Sequence, residues 1–290
     1  MDKNKIILID KPYGVTSHKV VSILRKKLDL KKIGHAGTLD PSASGLLICC
    51  VGKATKISQY LMGQNKTYEV DVVLGATSST YDDEGELTNI TSTTPSKEMI
   101  EKCVLQFVGK IKQKPPIYSA IKIKGQKLYQ YARKGIEVEI QPRSITVFNI
   151  QVQSIEKNIV SLLVHCEKGT YIRSLAHDIG QSLGCGGYAK NIRRLQSGDF
   201  SLAQAKPLNQ VLEMSAEEIV SNGISIFEAL TKAFISIEVN ETQVVDIRNG
   251  KKLHGLPAMV DGMILFHTAN HEAIAIAQSQ NQEVILKRVF

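Results

Sequence analysis

The stretch KIGHAGTLDPSASGLL, residues 32–47, is the densest in the chain: three glycines, a proline and small side chains frame one histidine, His35, and one aspartate, Asp40. It lies between a predicted helix and a predicted buried strand, so it reads as a stiff loop. Gly34 and Gly37 admit close backbone approach or a positive φ. Pro41 biases Asp40 toward an extended backbone, which aims the carboxylate out of the loop. On spacing alone Asp40 is a turn former, a helix cap or a reactive carboxylate. His35 and Asp40 do not suffice for a metal, because no third ligand stands at a recognisable spacing.

Outward from this loop the chain mixes strands and helices without regular βαβ alternation. IILID (6–10) reads as a buried strand. Ser17 is the expected cap of a helix through Leu28, with Val20, Val21, Ile23, Leu24 and Leu28 on one face. LLICCV (46–51), TYEVDVVL (67–74), SITVFNIQV (144–152) and IVSLLVHC (159–166) read as strands. A 3.6-residue period predicts a helix over 172–183, stopped by Gly184, and Ser215 with Glu218 forms a capping box. Inside the first of these, His177-Asp178 suggests a dyad, but the helical period makes it a surface pair. Between Pro115 and Pro142 the lysine- and tyrosine-rich stretch has little apolar period and reads as an insertion packing weakly on the core. From Phe234 onward FISIEV, MILF, AIAIAQ and VILKRV predict a small domain of short strands joined by turns. The class is therefore α+β.

Composition narrows the function. The 290 residues are 43% apolar and 22% charged, with a mean hydropathy of −0.07, which suits a folded domain with a sizeable core. No run of about 18 apolar residues predicts a membrane span, and the first apolar run is too short for a signal peptide. Five cysteines with no CxxC pair exclude a zinc ribbon and point to a reducing, cytoplasmic setting. A Walker loop is absent, since Gly52-Lys53 is followed by Ala54, and the loose glycine pattern at 184–189 follows a helix rather than a strand. No nucleotide cofactor is expected. The net charge of +8 is uneven: residues 1–35 hold nine basic and three acidic side chains, 66–101 two and eight, 110–143 nine and two. Two basic blocks around an acidic one are the footprint of a polyanion binder.

The same loop, GHAGTLDPSASGLL, resembles the signature of the bacterial tRNA pseudouridine 55 synthases, the TruB family. DKPYGVTS (10–17), KTYEV (66–70), LGATSSTYDDEG (74–85), KGTYIRSLAHDIG (168–180) and NIRRLQSG (191–198) follow in the family's order. The resemblance implies a pseudouridine synthase fold, a mainly antiparallel mixed sheet flanked by helices and loops, over 1–232. It implies a β-barrel-like RNA-binding domain of the PUA type over 233–290, and a thumb at about 115–142 that closes over RNA. It implies that the chain isomerises uridine 55 in the tRNA T-loop after flipping the base, as a cytoplasmic monomer with no cofactor, metal or membrane. The family's catalytic aspartate matches Asp40, its partner arginine Arg173, and its base-stacking tyrosine Tyr68. Tyr171 matches the tyrosine lining the uracil pocket, Ile192 a pocket-lining leucine, and His35 the histidine that wedges into the RNA loop. Arg193 and Arg194 are expected on phosphates. The family's RRTRSGPF is RRLQSGDF here, with Gln196 and Asp199 as departures that remove one phosphate contact. Two rivals remain. A catalytically silent tRNA-binding chaperone on the same scaffold would lack the aspartate, and a hydrolase would need a coherent ligand set or triad.

Overall fold

A computed structural model describes residues 3–91, 93–119, 121–123, 125–132, 134–136, 138–251, 261–281 and 283–290. Its main sheet is built on β1 (Lys5–Lys11), β2 (Ile33–His35), β3 (Ala43–Val51), β4 (Lys66–Leu74), β5 (Gly109–Gln113), β6 (Arg143–Glu156), β7 (Ile159–Cys166) and β8 (Gly187–Ser197). Across the sheet the order is β1-β3-β8-β4-β7-β6-β5, with β2 on β3 and the short strand 206–207 outside β1. Among the described pairings only β3·β8 and the 206–207 edge are parallel; the rest are antiparallel. The expected mixed, mainly antiparallel sheet is present.

Sequence alternation explains how the layers form. In β1 and β3, Ile7, Ile9, Leu47 and Cys49 face one apolar cluster, while Ile6, Leu8, Leu46 and Ile48 face another. Both faces are covered, so β3 carries the near-continuous apolar run of a central strand. The first cluster is closed by three helices: α1 (Ser17–Leu28), α2 (Lys97–Leu105) and α3 (Ile172–Ser182). Helix α3 lies backbone to backbone on β8: a Cβ on Gly180 would sit 2.1 Å from Gly187 N, so only glycine fits there.

The cap of α1 lies one residue earlier than Ser17. Thr16 Oγ1 accepts from Lys19 N–H at 3.0 Å. Ser17 instead bonds Leu39 twice, donating to its carbonyl and accepting from its N–H, both at 2.8 Å. That exchange ties the helix to the loop that carries Asp40.

The C-terminal strands are β9 (Ile235–Glu238), β10 (Gly262–His267), β11 (Ala273–Gln280) and β12 (Glu283–Val289). They form a linear four-stranded sheet with β9 and β10 parallel, open rather than barrel-like among the described residues. A helix, α4 (Glu241–Arg248), follows β9 where only turns were expected. It buries just Val244 and Ile247, too weak a period to read from sequence. Residues 252–260, between α4 and β10, lie outside the described residues. Leu265 and Ile276 share the second apolar cluster with β1 and β3, so this sheet shares a core with the main one.

The stretch 115–142 packs more firmly than its composition suggests. Pro115, Pro116, Ser119, Leu128 and Ile140 are all buried, and Leu128 begins a one-turn helix, Leu128–Ala132. Scattered anchors rather than a periodic face do the packing, which is why no period announced it.

Candidate active site

Asp40 sits at the end of the loop between β2 and β3. Three features hold that loop in place. Ser17 clamps Leu39, as above. Gly45, at φ +97°, lets β3 run so close to β8 that a Cβ would stand 2.4 Å from the Arg194 carbonyl oxygen. Arg194 then reaches back under the loop: Nε donates to Leu46 O at 2.8 Å, Nη2 to Gly37 O at 3.1 Å and Nη1 to Thr38 O at 3.5 Å.

Arg173, in the first turn of α3, meets the loop from across the cleft. Its Nη2 lies 2.8 Å from Asp40 Oδ2, and its own side chain is 6% exposed while that of Asp40 is 41% exposed. The same guanidinium donates to Thr80 O at 2.9 Å and Tyr118 O at 2.8 Å. A second carboxylate, Asp82, lies 3.5 Å from Nη1. Asp82 is buried and accepts from Ser42 Oγ at 3.0 Å, from Glu84 N–H at 3.2 Å and from the Thr80 hydroxyl. Arg173 is thus fixed by four groups in its plane, which leaves Asp40 oriented but open to the cleft.

The cleft is lined by Asp40, Tyr68, Tyr171, Arg173 and Ile192, together with Lys66 and Ser119. Tyr68 stands directly across from Arg194 in the β4·β8 ladder. Burial pushes its phenol upward, and the Arg194 guanidinium bonded to it pulls the other way. Tyr171 precedes α3, and Gln113 grips its backbone from both sides, accepting from Tyr171 N–H at 2.8 Å and donating to its carbonyl at 3.0 Å. Burial raises this phenol too.

Three expectations fare differently. Arg194 is 1% exposed, and its guanidinium is taken up by loop carbonyls, so it is a strut under Asp40 and not a phosphate contact. Arg193 points to the opposite side of β8, as alternation requires, and pairs with Asp10 at 2.7 Å. It is half-exposed but outside the Asp40 cleft. His35 also lies outside the cleft, paired with Cys49 across β2·β3. It is half-buried, its Nδ1 has no hydrogen-bond partner, and burial followed by the nearby Arg194 charge lowers its pKa. Gln196 and Asp199 are both exposed.

Asp82 was not singled out by its spacing, because Asp82-Asp83-Glu84 reads as a solvated acidic run. Two buried lysines were also missed. Lys66 Nζ donates to Met62 O at 2.7 Å and to Gln64 O, and burial lowers its pKa to about 8. Lys11 Nζ donates to Val15 O at 2.6 Å and Pro12 O at 2.9 Å; burial brings it to about 8, opposed by the Asp40 charge. His177 is not an exposed dyad partner: it stacks on Tyr81. Among the described residues no three His, Cys, Asp or Glu side chains gather as a metal site, and no helix is long and apolar enough to cross a membrane.

Known proteins match this chain in two adjoining regions. Residues 25–172 match the family model described as TruB family pseudouridylate synthase, N-terminal domain. Residues 173–234 match the tRNA pseudouridylate synthase B C-terminal domain. The chain belongs to the TruB family of pseudouridylate synthases. The tRNA pseudouridine synthase B of Alkaliphilus oremlandii is 43% identical over 87% of this chain and 83% of its own length. That of Pseudomonas fluorescens Pf-5 is 40% identical over 98% of this chain and 95% of its own. A chain in the crystal structure of a Cbf5-Nop10-Gar1 complex superposes with a TM-score of 0.76 at 25% identity, covering 99% of this chain and 85% of that one. In this TruB family chain the two models meet between Ile172 and Arg173, so the Asp40–Arg173 pair joins one matched region to the other.

Proposed function

We propose that this chain is a tRNA pseudouridine synthase acting on uridine 55 of the T-loop. The observation that carries the reading is the 2.8 Å pair of Asp40 with Arg173 at a cleft lined by Tyr68, Tyr171 and Ile192. Isomerisation breaks the N1–C1′ bond, turns the uracil and forms a C5–C1′ bond; C5 loses a proton and N1 gains one. Asp40 is the group placed to open the glycosidic bond. Arg173 holds its carboxylate in one orientation. The base must leave its stack at a cost of a few kcal/mol, and the Tyr68 ring is the surface it would stack on, with Tyr171 and Ile192 closing the pocket. His35, on the strand before the loop, would fill the space the uridine vacates. The activity needs no cofactor.

The phosphate track follows different cations from those expected. Lys32, Lys53 and Arg288 are exposed and gather around Lys56, whose pKa is lowered by burial and by those three charges. Lys56 Nζ donates to Val289 O at 2.6 Å, which joins the helical turn after β3 to β12. None of the four has an acidic partner among the described ion pairs. Four uncompensated cations across the junction favour a polyanion. Residues 233–290 would thereby act as an RNA-binding domain, 115–142 as a thumb over the T-arm, and the protein as a cytoplasmic monomer. The test is to incubate full-length tRNA and an isolated T-arm hairpin with the protein and map pseudouridine by sequencing. Modification of the T-loop uridine in both supports the reading; modification confined to another position overturns it.

A further inference from the structure

Tyr81 immediately precedes Asp82, and its backbone is left-handed at φ 65°, a conformation tyrosine seldom takes. Two contacts hold it there. Its ring stacks on the His177 imidazole, with centroids 4.0 Å apart and planes 14° from parallel. Its carbonyl accepts from Ala189 N–H at 2.9 Å.

The turn so held faces Arg173 from both sides of Tyr81. Thr80 offers its carbonyl at 2.9 Å and Asp82 its carboxylate at 3.5 Å. Arg173 and His177 stand four residues apart on α3, so they lie one turn apart on one face. One helix therefore carries both the guanidinium that the turn grips and the imidazole that grips the turn. The helix has no freedom to slide, because Gly180 meets Gly187 backbone to backbone. His177 Nδ1 is buried with no hydrogen-bond partner, and burial lowers the ring's pKa.

We propose that the Tyr81–His177 stack is a positioning device for the Asp40–Arg173 pair. It fixes the 80–82 turn and, through Thr80 O and Asp82, the orientation of Arg173. Neither ring touches the reacting atoms. The proposal rests on the reading of the cleft as the site of uridine isomerisation.

The test compares Tyr81→Gly, Tyr81→Phe, His177→Ala and His177→Phe by single-turnover rate, tRNA Kd and Tm. Glycine adopts the left-handed backbone without strain, so Tyr81→Gly removes the ring and keeps the fold. Losing the stack should slow isomerisation roughly 10-fold or more, with Kd within about threefold of the parent, because geometry and not binding is disturbed. Both Phe variants retain a stacked pair and should stay within about threefold of the parent rate. The double variant Tyr81→Gly/His177→Ala should be no slower than its slower single, since each removes the same contact. Parental rates in Tyr81→Gly and His177→Ala would overturn the proposal. So would Phe variants as slow as those two, losses that appear in Kd instead of rate, or losses that multiply in the double variant. The unsubstituted protein on the same T-arm transcript is the control: if it converts another tRNA uridine instead, the T-loop reading fails and the variants are compared on that uridine.

Discussion

A guanidinium presents five N–H groups in one plane, and Arg173 places them on Asp40, Asp82, Thr80 O and Tyr118 O. A lysine has three donors on one nitrogen and no planar fork, so it could not reach all four partners. Two carboxylates on one cation have opposite exposures: Asp82 is closed off by Ser42, Thr80 and Glu84, while Asp40 is open to the cleft. Under the proposed function, that asymmetry suits Asp82 to holding and Asp40 to chemistry. A third carboxylate, Asp178, sits on α3 away from the pair, and burial raises its pKa to about 6. An acid whose pKa is raised on folding binds more protons folded than unfolded between its ordinary value and about 6, so its contribution to stability falls as pH rises through that window. Asp178→Asn should therefore raise Tm at pH 7, with roughly 2–4 °C for each kcal/mol relieved, and the gain should shrink toward pH 4. Thermal melts at the two pH values check this; an equal gain at both would contradict it.

At the scale of elements, the site depends on a close approach of two strands. β3 and β8 run parallel through Ala43–Ile192, Ser44–Arg193 and Gly45–Arg194, which sets Ile192 beside the Asp40 loop and slides Arg194 under it. Gly45→Ala puts a methyl on the Arg194 backbone and forces a left-handed alanine. It should cost at least ~1 kcal/mol of stability and lower turnover more than tRNA affinity, because the loop moves before the RNA surface does. Denaturant melts and single-turnover rates check both halves; a neutral substitution would show that the approach is not needed. The Asp40 loop was legible because glycines and a proline frame its one acid. Strands 159–166 and the helix from Ile172 were legible because their apolar periods are clean. Asp82 was not, since Ser42 and Arg173, which close it off together with its neighbours Thr80 and Glu84, come from distant parts of the chain. The cap at Thr16 differed from Ser17 because a tertiary bond to Leu39 claims the serine.

At the scale of the molecule, the second apolar cluster welds the C-terminal sheet to β1 and β3, so cations from both form one surface. The charge blocks point to a polyanion face, but of the four junction cations only Lys32 lies in either block. Arg194, in a motif that reads as phosphate-binding, is buried, whereas Arg288 sits in a strand chosen for its apolar period. Lys53→Glu with Arg288→Glu should reduce the slope of log affinity against log salt by about 2 while leaving the rate on bound tRNA unchanged. Filter binding across a salt series checks this; an unaltered slope would place the RNA elsewhere. The proposed function rests on Asp40, held by Arg173, performing the isomerisation. Its most direct test is tritium release from a T-arm transcript carrying 5-tritiated uridine, with the parent protein and Asp40→Asn side by side. Forming the C5–C1′ bond expels the label, so the parent should release it from the T-loop uridine and Asp40→Asn should release none while binding RNA within a few-fold of the parent. Release by Asp40→Asn at the parental rate, in protein free of deamidation back to aspartate, would contradict the account.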